Sequence, residues 1–107
     1  MDAMTDLVPW LRAQLDEDER VAPTAAIVMA TRSSTAEIGI RLMAEINAKR
    51  RILDDYGKAL DRRKQHPDDV ASAAHLLAML HVIKLLALPY AERPGYLEDW
   101  RPSGLPV

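Results

Sequence analysis

The stretch VASAAHLLAMLHVIKLLAL, Val70 to Leu88, constrains the chain more than any other part of it. Written as a helix, it places Val70 or Ala73, then Leu76, Leu80, Ile83 and Ala87 on one seam. Leu77, Met79, Val82, Leu85, Leu86 and Leu88 cover the other faces. A helix that is apolar on most sides has to be enclosed. The segment is nearly long enough to span a bilayer. His75, His81 and Lys84 interrupt it, however, and a central charge is expensive there. It therefore reads as the buried helix of a soluble protein, with no membrane partner. Two neighbouring helices do not readily enclose such an element, so something further must cover it.

Its neighbours are also helical. STAE, Ser34 to Glu37, has a hydroxyl and, three residues on, a carboxylate, the pattern of a capping box. A long helix follows to about Lys64. Its apolar stripe of Ile38, Leu42, Ile46, Leu53, Tyr56 and Leu60 becomes close to a heptad seam when Lys49 is included. Gly57 weakens this helix without stopping it. QHPDD is a loop, from which Asp68 or Asp69 caps the third helix, and Pro89 ends that helix after Leu88. The first helix starts at Thr5 or Asp6, with Pro9 expected in its first turn. It carries Leu7, Leu11, Leu15 and Ala22 at helical spacing, and Pro23 ends or kinks it. TAAIVMATR after it is a brief helix or an irregular connection. Nothing alternates with period two, so no sheet is expected. The fold class is all-α: a single domain over residues 1–107, built as a three-helix bundle with a short fourth helix as an option.

The C-terminal segment, residues 89–107, is unusual. It holds Tyr90, Tyr96 and Trp100, most of the aromatic mass of a chain that has two Trp, three Tyr and no Phe. RPGY reads as a tight turn centred on Pro94 and Gly95. Alternatively, Pro94 opens one helical turn that puts Tyr96 and Trp100 on one face. The prolines fix the path of this tail and reduce the entropy lost on docking. It is therefore expected to fold back as an ordered lid on the third helix. The competing role is docking onto another chain, and Leu77, Leu85, Leu88, Tyr90, Tyr96 and Trp100 are the candidate partner-binding residues.

Composition removes several chemistries. There is no cysteine, hence no disulfide framework, thiolate metal site or cysteine nucleophile. His75 and His81 are six apart and lie on different sides of a helix, no HxxxH occurs, and no metal or other cofactor is expected. Consecutive carboxylates in DEDE, Asp16 to Glu19, point in different directions and read as a solvated face. No Gly-rich phosphate loop and no Gly-flanked serine elbow is present, so no catalytic residue is named and no enzyme is expected. The opening MDAMTDLVPWLR lacks a basic region and a long apolar run, so no signal peptide is expected and a cytoplasmic location is. MTDLV, from Met4, reads as an alternative start.

Charge is segregated. Residues 1–31 carry six acids and two bases, residues 32–65 nine bases and five acids, and residues 66–107 five acids and three bases. The basic cluster comprises Lys49, Arg50, Arg51, Lys58, Arg62, Arg63 and Lys64. Intrahelical pairs Glu45–Lys49, Arg50–Asp54, Arg51–Asp55 and Asp54–Lys58 account for much of it. No aromatic is interleaved for base stacking, and nucleic-acid binding is the second-ranked function. Lys49 falls in the middle of its helix's apolar stripe, and Asp18 falls in that of the first helix. A lone charge in either seam is costly, whereas two facing charges of opposite sign are tolerated. A buried ion pair between Asp18 and Lys49, across antiparallel helices, is therefore expected.

Three blocks, MTDLVPWLRAQLDEDE, EINAKRRILDDY and LLALPYAERPGYLEDWRP, resemble a family of small proteins of actinobacteria and their phages that is known as a domain of unknown function. The last block is the most specific, through its order of Pro, Tyr, Gly and Trp. Members often carry a Trp- and Gly-rich insert and a His-containing segment where this chain has VAPTAAIVMATRSSTAEIG. The resemblance implies a cytoplasmic accessory or phage-borne protein and no activity. Together with the apolar third helix, it points to a protein–protein interaction module that contacts a protein partner or forms a homodimer, as a modulator of a host protein.

Overall fold

The computed structural model describes residues 3–29 and 35–102, with side chains at 4–21 and 37–102. Three α-helices follow one another: α1 (Ala3–Met29), α2 (Thr35–Gln65) and α3 (Val70–Ala87). Two short 3₁₀ turns, Leu88–Tyr90 and Glu98–Trp100, lie in the tail. No strand occurs among the described residues, and the all-α class holds.

α1 forms because Leu7, Leu11 and Leu15 recur every fourth residue, and each is fully buried. It starts earlier than the capping pattern implied, so Pro9 lies beyond the first turn. Pro9 leaves the Thr5 carbonyl without its helical donor, but both residues are exposed and water can serve that oxygen. Pro23 does not end the helix. α1 continues to Met29, so residues 24–29 belong to it and form no separate fourth helix. The Glu19 carbonyl that Pro23 cannot serve is on an exposed residue. The rest of TAAIVMATR and the Ser34 of the capping box lie outside the described residues.

α2 presents Ile46 and Leu53 to α1, and Ala59 is also buried. α1 and α2 run antiparallel, because Arg12 pairs with Asp54 while Asp16, further along α1, pairs with Arg50. The loop at 66–69 is short and returns the chain along α2 as α3. Asp69 caps α3: its carboxylate accepts from the Ala71 amide at 3.2 Å and from the Ser72 hydroxyl at 2.6 Å. The Ser72 hydroxyl bond is the main cause holding the Asp69 carboxyl below the usual carboxylate range. α3 buries Ile83 and Ala87, while Val70, an option for its seam, is 81% exposed.

Both α1 and α3 pack on α2, and the last 3₁₀ turn returns to α1. The result is long, 55 × 27 × 25 Å, with a radius of gyration of 16.4 Å. A compact domain of this length would have about 13 Å. α2 sets the length, since its 31 residues span roughly 46 Å.

Candidate functional site

Two features stand out: a polar and aromatic clamp that holds the tail on α1, and the outward face of α3.

The clamp begins with a turn. The Tyr96 amide donates to the Arg93 carbonyl at 3.3 Å, with Pro94 and Gly95 between them and Gly95 at φ +91°. That is a tight turn with Pro in the first central position and a left-handed residue in the second. The turn presents the Pro94 carbonyl to the Trp10 indole N–H at 3.1 Å. Beyond it, Tyr96 and Trp100 close on Trp10, with ring centroids 5.7, 5.2 and 5.5 Å apart around the three pairs. Trp100 is 1% exposed and is the largest fully buried side chain. The Tyr96 hydroxyl is buried without a hydrogen-bond partner among the described residues, and burial raises its pKa.

Tyr90 is the second anchor, and it lies between the two charges expected to pair. Its hydroxyl donates to Asp18 Oδ2 at 2.6 Å and accepts from Lys49 Nζ at 3.3 Å. Asp18 takes its ion pair from Arg93 in the tail, at 2.8 Å, rather than from Lys49. The expected direct Asp18–Lys49 pair is thus replaced by a relay through a phenol. The physical reason is reach: the tail brings a hydroxyl and a guanidinium to the carboxylate, and the ammonium is left to stack. Lys49 Nζ lies 5.4 Å from the Tyr90 ring centroid, and the Arg93 guanidinium carbon lies 4.6 Å from it. Both cations are over an electron-rich ring. Burial first, and then the bond to Asp18, raises the Tyr90 pKa far above its ordinary value.

The remaining charges are engaged differently from the intrahelical scheme. Arg50 reaches across to Asp16 at 2.7 Å and Glu19 at 2.6 Å, and Arg12 takes Asp54 at 3.0 Å. Only Arg51–Asp55, at 3.6 Å, survives of the pairs expected within α2. α1 offers carboxylates to the same cations, and helix packing brings them closer than the next turn does. The DEDE run thereby divides its four carboxylates: Asp16 and Glu19 to Arg50, Glu17 to Arg20, and Asp18 to the tail. Glu17 is held below its usual range by its hydrogen bond from Arg20. No group of three or more potential metal ligands gathers among the described residues. A shallow cleft of about 220 Å³ between α2 and α3 is bordered by Asp55, Lys58, Arg62 and His75, whose mixed charges favour no single ligand.

The outer face of α3 is the opposite case. Leu77 is 68% exposed and Leu85 is 40% exposed, with Val70 and Val82 beside them. Leu88 is half-buried. Of the six residues expected to meet a partner, Leu77 and Leu85 thus stand in solvent, whereas Tyr90 and Trp100 are buried against the chain's own core and Tyr96 packs against it. The tail covers α1 and the end of α3, not the middle of α3. Val70–Tyr90 is one helical stretch long and apolar enough to cross a membrane by length and composition, with a mean hydropathy of 1.8. Trp10 and Arg93 complete the clamp and were not singled out from the sequence, whereas the tight turn at Pro94 and Gly95 was. Asp18 and Lys49, each in an apolar stripe, were the signals that something polar must meet them there.

A small all-α protein whose tail clamps its first helix is the class that these elements define. Over residues 25–102 the chain matches the Family of unknown function (DUF6221), and it belongs to that family. The matched span holds α2, α3 and the tail, while Leu7, Leu11, Leu15 and Asp18 lie before it. No curated protein and no solved structure matches the chain.

Proposed function

We propose that the protein is a non-enzymatic protein–protein interaction module whose docking surface is the outer face of α3. One observation carries this reading. From Val70 to Leu85 the exposed side of α3 bears valine, alanine, leucine and only two ionisable side chains, His75 and His81, with no Asp, Glu, Lys or Arg. Exposed apolar faces of this kind mark interaction sites. Ile83 and Ala87 hold the other side of the same helix in the core, which favours a protein partner over a bilayer. The strongly polar groups Asp18, Lys49, Tyr90 and Arg93 fasten the tail, which supports a structural rather than a catalytic role for them. The resemblance to actinobacterial and phage proteins supports a cytoplasmic setting and action on a host protein.

A nucleic-acid-associated regulator is the second reading. Lys58, Arg62 and Lys64 favour it, since they form no ion pair among the described residues. Arg50 counts against it, because two carboxylates already hold that cation.

A photoreactive amino acid at Leu77 or Leu85 tests the module in cells, with exposed Asp61 on α2 as the control position. Adducts to protein at 77 and 85 but not at 61 support it. Adducts only to lipid or nucleic acid, or equal yields at all three positions, overturn it.

A further inference from the structure

The docking face also describes its occupant. Ala71, Ala74, Ala78, His81 and Leu85 follow one another at steps of three and four, the spacing of a helix–helix seam, and all are exposed. Leu77 flanks this seam on one side and Val82 on the other. The seam is graded: small residues fill the half toward the N-terminus of α3, and large ones fill the other half. Charge is graded along the same axis. Asp68 and Asp69 stand exposed before the helix, and Lys84 lies near its end.

Resting on the interaction reading above, we propose that the partner is a second copy of this chain, packed α3 against α3 in antiparallel orientation about a twofold axis beside Ala78. That arrangement sets Ala71 against the partner's Leu85 and Ala74 against the partner's Val82. Large meets small toward both ends of the seam, and alanine meets alanine at the axis, where the helices approach most closely. Parallel pairing would set alanine on alanine and leave a gap at one end while crowding Leu85 at the other. The alanines allow the helix axes to approach to about 8 Å. Antiparallel pairing brings the acidic end of one helix to the Lys84 end of the other, and it opposes the two helix dipoles. The seam has no permanent charge to desolvate. The contact is the same patch on both copies, so it closes at two and forms no fibre. α3 spans about 27 Å, so the interface is small, in the range of weak and transient complexes.

The absence of cysteine makes the test clean. Ala78→Cys, Ala71→Cys and Leu85→Cys are prepared singly and oxidised at ~100 µM, a concentration suited to a weak complex. Ala78→Cys should link to its own kind. Ala71→Cys and Leu85→Cys should stay unlinked alone and link when mixed, since a disulfide needs Cα atoms within about 7 Å. Leu77→Glu with Leu85→Glu should weaken dimers roughly tenfold or more in sedimentation equilibrium, with helix content and melting of the monomer retained. Self-linking of Ala71→Cys and of Leu85→Cys would show parallel pairing and overturn the arrangement. A monomer mass throughout, with no linkage at any position, overturns the second copy as occupant. Protein adducts at Leu77 would then still leave the module itself standing, with a different partner.

Discussion

At the scale of single residues, the two tail tyrosines are chemically alike and oppositely placed. The Tyr90 hydroxyl is fully used between Asp18 and Lys49, and the Tyr96 hydroxyl is buried with no partner among the described residues. Removing a satisfied buried hydroxyl strands its partners, whereas removing an unsatisfied one relieves a desolvation penalty. Tyr90→Phe should therefore destabilise by about 1–3 kcal/mol. Tyr96→Phe should be neutral or stabilising in the same denaturant titration. Coupling between Asp18 and Lys49 in a double-mutant cycle should disappear in the Tyr90→Phe background, since the phenol carries it. Alkaline pH offers a second readout. The unfolded phenol ionises near its ordinary value of 10.0, and the folded one holds its proton to a much higher pH. Between those points the folded state binds more protons, so stability present below pH 10.0 falls as pH rises, and the fall should be shallower in Tyr90→Phe. Gly95 is constrained twice. Its φ is +91°, and an added Cβ would lie 2.7 Å from Trp10 Nε1. Gly95→Ala should cost about 2–3 kcal/mol through backbone strain and the broken indole bond, read by thermal melting and Trp fluorescence.

At the scale of elements, the opposite expectation holds for Gly57, in the interior of α2. A Cβ at Gly57 meets nothing within 4 Å, so Gly57→Ala should stabilise α2 by about 1 kcal/mol in equilibrium unfolding. Helix bounds were legible wherever local chemistry decides them. The Asp69 cap and the stop near Pro89 act over a few residues, and α2 and α3 lie where pattern and punctuation place them. Pro23 was misleading because a proline inside a helix removes one bond and the surrounding packing decides whether the helix continues. The ion pairs of α2 were illegible for a related reason. Spacing along one helix pairs Arg50 with Asp54, but spacing says nothing about Asp16 and Glu19 arriving from α1. Asp18 and Lys49 were legible as anomalies of their stripes, while the phenol between them was not, because Tyr90 comes from a segment with no periodic signal.

At the scale of the whole molecule, α2 is a spine that carries α1 along one side and α3 along another, and the tail joins the two outer helices. The clamp bonds therefore connect residues far apart in sequence: 84 positions for Trp10–Pro94, 75 for Asp18–Arg93 and 72 for Asp18–Tyr90. Trp100→Ala should remove about 3–5 kcal/mol, as for any fully buried Trp. The partition of that loss between rates follows from the separations. Helices and the neighbouring α2–α3 hairpin can form early, whereas closing a loop of this length yields no reward until the tail arrives. Contacts made after the transition state change the rate of leaving the native basin and not the rate of reaching it. Trp100→Ala and Gly95→Ala should thus leave the folding limb of a chevron nearly unmoved and accelerate the unfolding limb. The proline-hinged tail is, in these terms, a latch: it sets how long each molecule stays folded once it has folded.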